Sequence, residues 1–119
     1  MLNNYIKYAL IMLSVDLFYL FSISKYYSKQ IKLVQKSDMI VKMSGVILCY
    51  LILTMGGYYF SVFKNSSMRE TFFLGLFVYG VYELTNFALL ENWSMLTVLI
   101  DTLWGGCLFV IVKYLYQRI

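Results

Sequence analysis

Three acidic residues lie inside long apolar stretches of this sequence, where an ionisable side chain is costly. Asp16, Glu83 and Asp101 each lie seven or eight residues from one end of their stretch. At about 1.5 Å of rise per helical residue, each carboxyl group would lie roughly 12 Å below the same membrane face. Carboxyl groups that meet at this depth repel one another and lose solvation, so they would hold a shared proton, a bound cation or a cationic partner. Any chemistry is therefore expected at this cluster.

Four further side chains are expected to complete a ligand-binding site around the carboxyl groups: Tyr79, Asn86, Trp104 and Lys42. Tyr79 and Asn86 share a helical face with Glu83 by i, i+4 and i, i+3 spacing. The ring of Trp104 would form a wall of the pocket. Lys42 enters from the same membrane face and could turn inward as a counter-ion, although a lysine at this depth can also extend outward to the headgroups.

The composition is that of a membrane protein. Of 119 residues, 61% are hydrophobic and 13% are charged, against roughly 25% charged in soluble domains. A helix needs about 20 residues to cross a bilayer, and four suitable windows can be drawn, at 5–24, 39–63, 71–90 and 93–116. They use nearly the whole chain. We therefore predict an all-α fold, a four-helix antiparallel transmembrane bundle that forms a single integral membrane domain.

Several classes of function are disfavoured by residue type. Histidine is absent, and Cys49 and Cys107 lie in apolar windows without CxxC spacing, so we expect no metal, no cofactor and two buried free thiols. The net charge of +4 comes from residues concentrated outside the windows. This distribution favours anchoring to lipid headgroups over nucleic-acid binding. Asp16 in the middle of the first window argues against a signal peptide.

The segments around the windows lead to smaller expectations. The lysine-rich segment 25–38 can either lie along the headgroup layer or form a solvated loop. Gly45 and Gly56 belong to a stripe of small residues on the second window, a pattern typical of close helix packing. Asn92 is placed to cap the fourth helix, and Trp93 fits an aromatic belt.

The segment Tyr79–Asn86 reads YGVYELTN and is followed by Asn92–Trp93, then by Asp101 with Trp104–Gly105. Together with an aspartate inside the first helix, this pattern resembles the signature of a membrane-protein family catalogued as domain of unknown function 2177. The likeness spans essentially the whole chain. It implies a small four-helix membrane protein, with Asp16 matching the aspartate of the first helix, and no established activity.

Two positions depart from the family pattern. Glu83 stands where the family usually has Asp, which lengthens the carboxylate by one methylene. Ser94 stands where Pro is common after the Trp, which removes a proline from the start of a helix.

Three kinds of function fit these observations. The first is a module that binds or conducts a proton, a cation or a small polar or amphiphilic solute at the carboxyl cluster. A continuous pathway through four short helices would then need a homo-oligomer. The second is a membrane-embedded enzyme that modifies a lipid with a carboxylate acid/base pair, although no nucleophile accompanies the acids. The third is an accessory subunit in which the polar residues form a structural network and fix helix register.

Overall fold

The computed structural model describes residues 2–119, which form four helices. Helix α1 covers Leu2–Gln35, α2 covers Met43–Gly57, α3 covers Met68–Leu89 and α4 covers Met95–Arg118. A π-helical segment, Tyr58–Phe63, extends α2. All four helices are long and apolar enough to cross a membrane, if α2 is taken together with its π-helical extension. The predicted all-α four-helix fold is confirmed.

At the start of each of the last two helices, a serine side chain accepts a hydrogen bond from a backbone N–H group. Ser67 and Glu70 form a reciprocal capping box at the start of α3, in which the Ser67 Oγ accepts from the Glu70 N–H at 3.1 Å. The Ser94 Oγ accepts from the Thr97 N–H at 3.1 Å and caps α4. The expected cap, Asn92, is two residues too early. It adopts a left-handed conformation with φ 64°, which Asn tolerates better than most residues, and so turns the chain between α3 and α4.

Helix α1 is longer than the first apolar window. It continues to Gln35, through most of the lysine-rich segment that we expected to lie along the headgroups or to form a loop. Gln30 is buried on this extension, and its Oε1 accepts from the Thr97 Oγ1 at 3.0 Å. The extension is therefore packed against the start of α4. As a result, Asp16 lies farther from this end of the bundle than the predicted window placed it.

Neighbouring helices run antiparallel. Gly75, in the first half of α3, meets Gly105 near the middle of α4, whereas Glu83, toward the end of α3, bonds Trp93 just before α4. Helix α1 also runs antiparallel to α4 and to α2, as the hydrogen bonds and ring contacts along its length show. The end of α1, the start of α2 and the turn between α3 and α4 lie at one end of the bundle, here called the lysine face. The start of α1, the 64–67 connection and the end of α4 lie at the other end, the opposite face.

The apolar core lies toward the opposite face. It consists of five side chains that are at most 1% exposed: Tyr8, Met12, Leu108, Phe109 and Val112. Next to it, α3 and α4 touch backbone to backbone, since a Cβ placed on Gly75 would collide with the Gly105 carbonyl. Large apolar side chains such as Phe18 and Phe21, 77% and 79% exposed, point outward, as expected where a bilayer surrounds the bundle.

Two expectations about small residues and cysteines are wrong. A Cβ added at Gly45 or Gly56 meets no atom within 4 Å, so this stripe of small residues packs against no other helix of the chain. Cys49 and Cys107 are free thiols but are exposed rather than buried. Apolar residues of a membrane helix need not face the protein, because lipid tails also provide an apolar environment.

Candidate functional site

The centre of the site is a pair of carboxyl groups from α3 and α4. Glu83 is 0% exposed and Asp101 is 7% exposed, and their carboxyl groups lie within hydrogen-bonding reach of each other. The Glu83 Oε2 receives no N–H or O–H from the described residues. Two carboxyl groups can bond each other only when one of them carries a proton.

The other carboxylate oxygen of Glu83 is held by a tryptophan. The indole Nε1–H of Trp93 donates to Glu83 Oε1 at 2.9 Å. Trp93 is 5% exposed and packs edge-on against Tyr27, with ring centroids 6.0 Å apart. Its expected place in an aromatic belt is therefore wrong. An indole N–H is a neutral donor, so it orients the Glu83 carboxyl group without bringing a positive charge.

Asp101 has its own aromatic donor on α1. The Tyr19 hydroxyl donates to Asp101 Oδ1. The Tyr19 ring stacks on the Trp104 ring, with centroids 4.3 Å apart and planes 5° from parallel. This stack holds the hydroxyl in place. The role of Trp104 as a wall of a ligand pocket stays a prediction.

Asp16 lies on the other side of the stack. Its Oδ1 accepts from the Trp104 Nε1–H at 2.9 Å, and its Oδ2 accepts from the Tyr50 hydroxyl of α2. Within residues 2–119 no hydrogen bond joins Asp16 directly to Glu83 or Asp101. The structure thus brings two of the three carboxyl groups together and places the third one aromatic layer away. The connected polar side chains reach all four helices.

Tyr79, Asn86 and Lys42 are less closely associated with the carboxyl groups. The half-buried Tyr79 ring packs on Gly105, where an added Cβ would collide with it. Asn86 is half-buried one turn from Glu83, and its side chain makes no hydrogen bond in the described chain. Lys42 is exposed at the N-cap of α2. The ion pair that the described residues do form, Lys32 with Asp38, lies on the surface.

Tyr19 and Tyr50 supply the hydroxyl donors that the sequence analysis missed. Tyr19 lies three residues after Asp16, on the same helical face, and this spacing could have indicated it. Tyr50 has no such signal, because it comes from another helix and the sequence contains 12 tyrosines.

Two apolar grooves lie between α1 and α2, apart from the carboxyl pair. The larger, of about 830 Å³, is bordered by Tyr5, Met55 and Phe63 among others. The smaller, of about 320 Å³, reaches Tyr50. Residues 2–119 contain no group of three acidic or cysteine side chains placed to hold a metal ion.

The chain belongs to a known family. The model of domain of unknown function 2177, described as a predicted membrane protein, matches residues 1–115. No curated protein and no solved structure matches the chain. The protein is therefore a multi-pass membrane protein of this family that lies in a lipid bilayer.

Proposed function

We propose that this protein binds and releases one proton at the Glu83–Asp101 pair, inside the membrane, and so acts as a proton-responsive binding module. The observation that carries the proposal is the contact between two buried carboxyl groups, each held by a neutral aromatic donor. A carboxyl pair in an apolar interior cannot carry two charges at modest cost. Loss of the shared proton would leave two negative charges side by side and would favour separation of α3 from α4.

The groups around the pair favour a proton over a metal cation or a lipid substrate as the bound species. The titratable groups nearest the pair are the phenols of Tyr19, Tyr27 and Tyr79. A further carboxyl group, Asp16, lies beyond the stack of Tyr19 on Trp104. No lysine or arginine of the described chain forms an ion pair with Glu83 or Asp101. A metal cation would need more oxygen ligands than two carboxyl groups and their donors provide. Neither groove is lined by Glu83 or Asp101, which gives the lipid-modifying reaction no substrate position beside the acids.

Infrared spectroscopy of the full chain in lipid vesicles tests this proposal. We expect the C=O stretch of a protonated carboxyl group in a dry environment at neutral pH, and we expect Glu83→Gln and Asp101→Asn each to abolish it. Glu91→Gln is the matched control, because Glu91 is exposed in the turn between α3 and α4 and should leave the band unchanged. Circular dichroism confirms that each variant keeps its helices.

A band that is absent from the wild-type protein, or that survives both substitutions, would overturn the proposal. In that case Glu83 and Asp101 would serve as a polar link that fixes the register of α3 and α4.

A further inference from the structure

The two sides of the carboxyl pair differ sharply in chemistry. Toward the lysine face, Thr97 lies one turn before Asp101 on the same face of α4. Its Oγ1 is 2.8 Å from the Tyr26 hydroxyl and 3.0 Å from the Gln30 Oε1. Thr97 is 1% exposed and Gln30 5%, whereas Tyr26 is 38% exposed. Polar groups therefore continue from the neighbourhood of the pair to the surface.

The Gln30 side chain joins this path to the turn that precedes α4. Its Nε2–H donates to the Asn92 carbonyl, and its Oε1 accepts from the Ser94 N–H at 3.3 Å. Ser94 in turn caps α4 through the Thr97 N–H. Hydroxyl groups and the water molecules that they bind can pass protons along such a series.

Toward the opposite face, apolar side chains and a backbone contact lie next to the carboxyl pair. Met12 precedes Asp16 by one turn on α1, and Leu108 and Val112 follow Asp101 on α4; all three are 0% exposed. The backbone contact of Gly75 with Gly105 closes the space between α3 and α4, and the Phe72 ring fills the space over Gly106, where an added Cβ would lie 2.7 Å from it. Packed apolar side chains of this kind carry no protons.

We infer that the proton of the Glu83–Asp101 pair exchanges with water at the lysine face alone, through Thr97, Gln30 and Tyr26. This inference rests on the proposed function and adds the side of the membrane from which the proton enters and leaves. The protein then responds to the pH on one side of the membrane and does not conduct protons across it. Thr97 and Gln30 are positioning residues for the path rather than proton acceptors.

The rate of hydrogen–deuterium exchange at the shared proton tests the path. When the vesicles are transferred to D₂O, the infrared band of the protonated carboxyl group shifts as deuterium replaces hydrogen. We expect Thr97→Val to slow this shift by about tenfold, because it removes the buried hydroxyl that lies one turn from Asp101 on the side of the lysine face. Gln30→Leu should slow it as well.

Thr102→Val is the matched control. Thr102 is adjacent to Asp101 on α4, contacts Gly80 across the α3–α4 interface, and its Oγ1 has no partner in the described chain. The same chemical change at this position should leave the exchange rate as in the wild type. If Thr97→Val exchanges as fast as Thr102→Val, the inferred path is wrong, although the persisting band would still support the proposed proton site.

The decay of a pH gradient across the same vesicles tests the closed side. We expect wild-type vesicles to lose the gradient no faster than protein-free vesicles. A faster decay that Asp101→Asn abolishes would overturn one-sided access, while the proton site itself would stand. Absence of the infrared band in the wild type is the separate result that would remove the proposed function.

Discussion

The α3–α4 and α1–α2 helix pairs are both rich in small residues, yet they pack differently. In the first pair, Gly75 meets the Gly105 carbonyl and the two backbones touch. In the second, Gly45 and Gly56 face open space, and of the α2 glycines Gly57 alone contacts α1, at the Tyr8 side chain. Small residues therefore indicate that helices can approach closely. They do not indicate which neighbour, if any, will do so.

Helices α1 and α2 are held together by side-chain hydrogen bonds more than by close packing. The Tyr5 hydroxyl lies 2.7 Å from the Thr54 Oγ1, and the Tyr50 hydroxyl donates to Asp16. Apolar grooves flank these bonds. We conclude that α2 is attached at a few points, whereas α3 and α4 form a closely packed unit that carries Glu83 and Asp101.

Gly75→Val should give the largest change, because the added valine side chain would collide with the Gly105 backbone. A backbone carbonyl cannot move aside as the end of a flexible side chain can. We expect a loss of about 3 kcal/mol in the free energy of unfolding, the upper end for overpacking. Unfolding in detergent, followed by circular dichroism, measures it. Gly45→Val is the control and should cost far less. Equal losses in the two variants would contradict the contrast between the helix pairs.

Tyr50→Phe should give an intermediate change. It removes one donor from Asp16, which is 4% exposed, and an unpaired buried polar group costs about 1 to 3 kcal/mol. We expect faster hydrogen–deuterium exchange of the α2 amides, measured by mass spectrometry, with α3 and α4 unchanged. Tyr59→Phe provides the comparison, since Tyr59 is 44% exposed. A uniform increase over all helices would show that α2 is not attached separately.

Gly56→Ala should give the smallest change, and it should be favourable. The added methyl group meets nothing within 4 Å, and Ala in a helix is more stable than Gly by roughly 0.5–1 kcal/mol. The same detergent unfolding experiment detects the gain. A loss of stability would instead mean that this face of α2 is covered in the membrane, and cross-linking through Cys49 would then identify a second copy of the chain as its neighbour.

Much of the candidate site could be predicted because intramembrane carboxyl groups are rare and must turn inward. That reasoning correctly brought Glu83 and Asp101 together across the α3–α4 turn, where the short connection fixes the relative height of the two helices. It failed for Asp16. The first apolar window ends at Ser24, but α1 continues as a packed helix to Gln35, so Tyr19 rather than Asp16 lies beside Asp101.

The sequence by itself determined that four helices cross a membrane and that the acidic residues within their apolar stretches turn toward the interior of the bundle, because both follow from the cost of placing polar groups in hydrocarbon. Only the tertiary structure decided the register of α1, the choice of Gly75 and Gly105 over Gly45 and Gly56 for close contact, and the choice of Tyr19 and Tyr50 among many tyrosines. Each of these depends on side chains that distant helices supply, and hydropathy, which is a local property, carries no information about them.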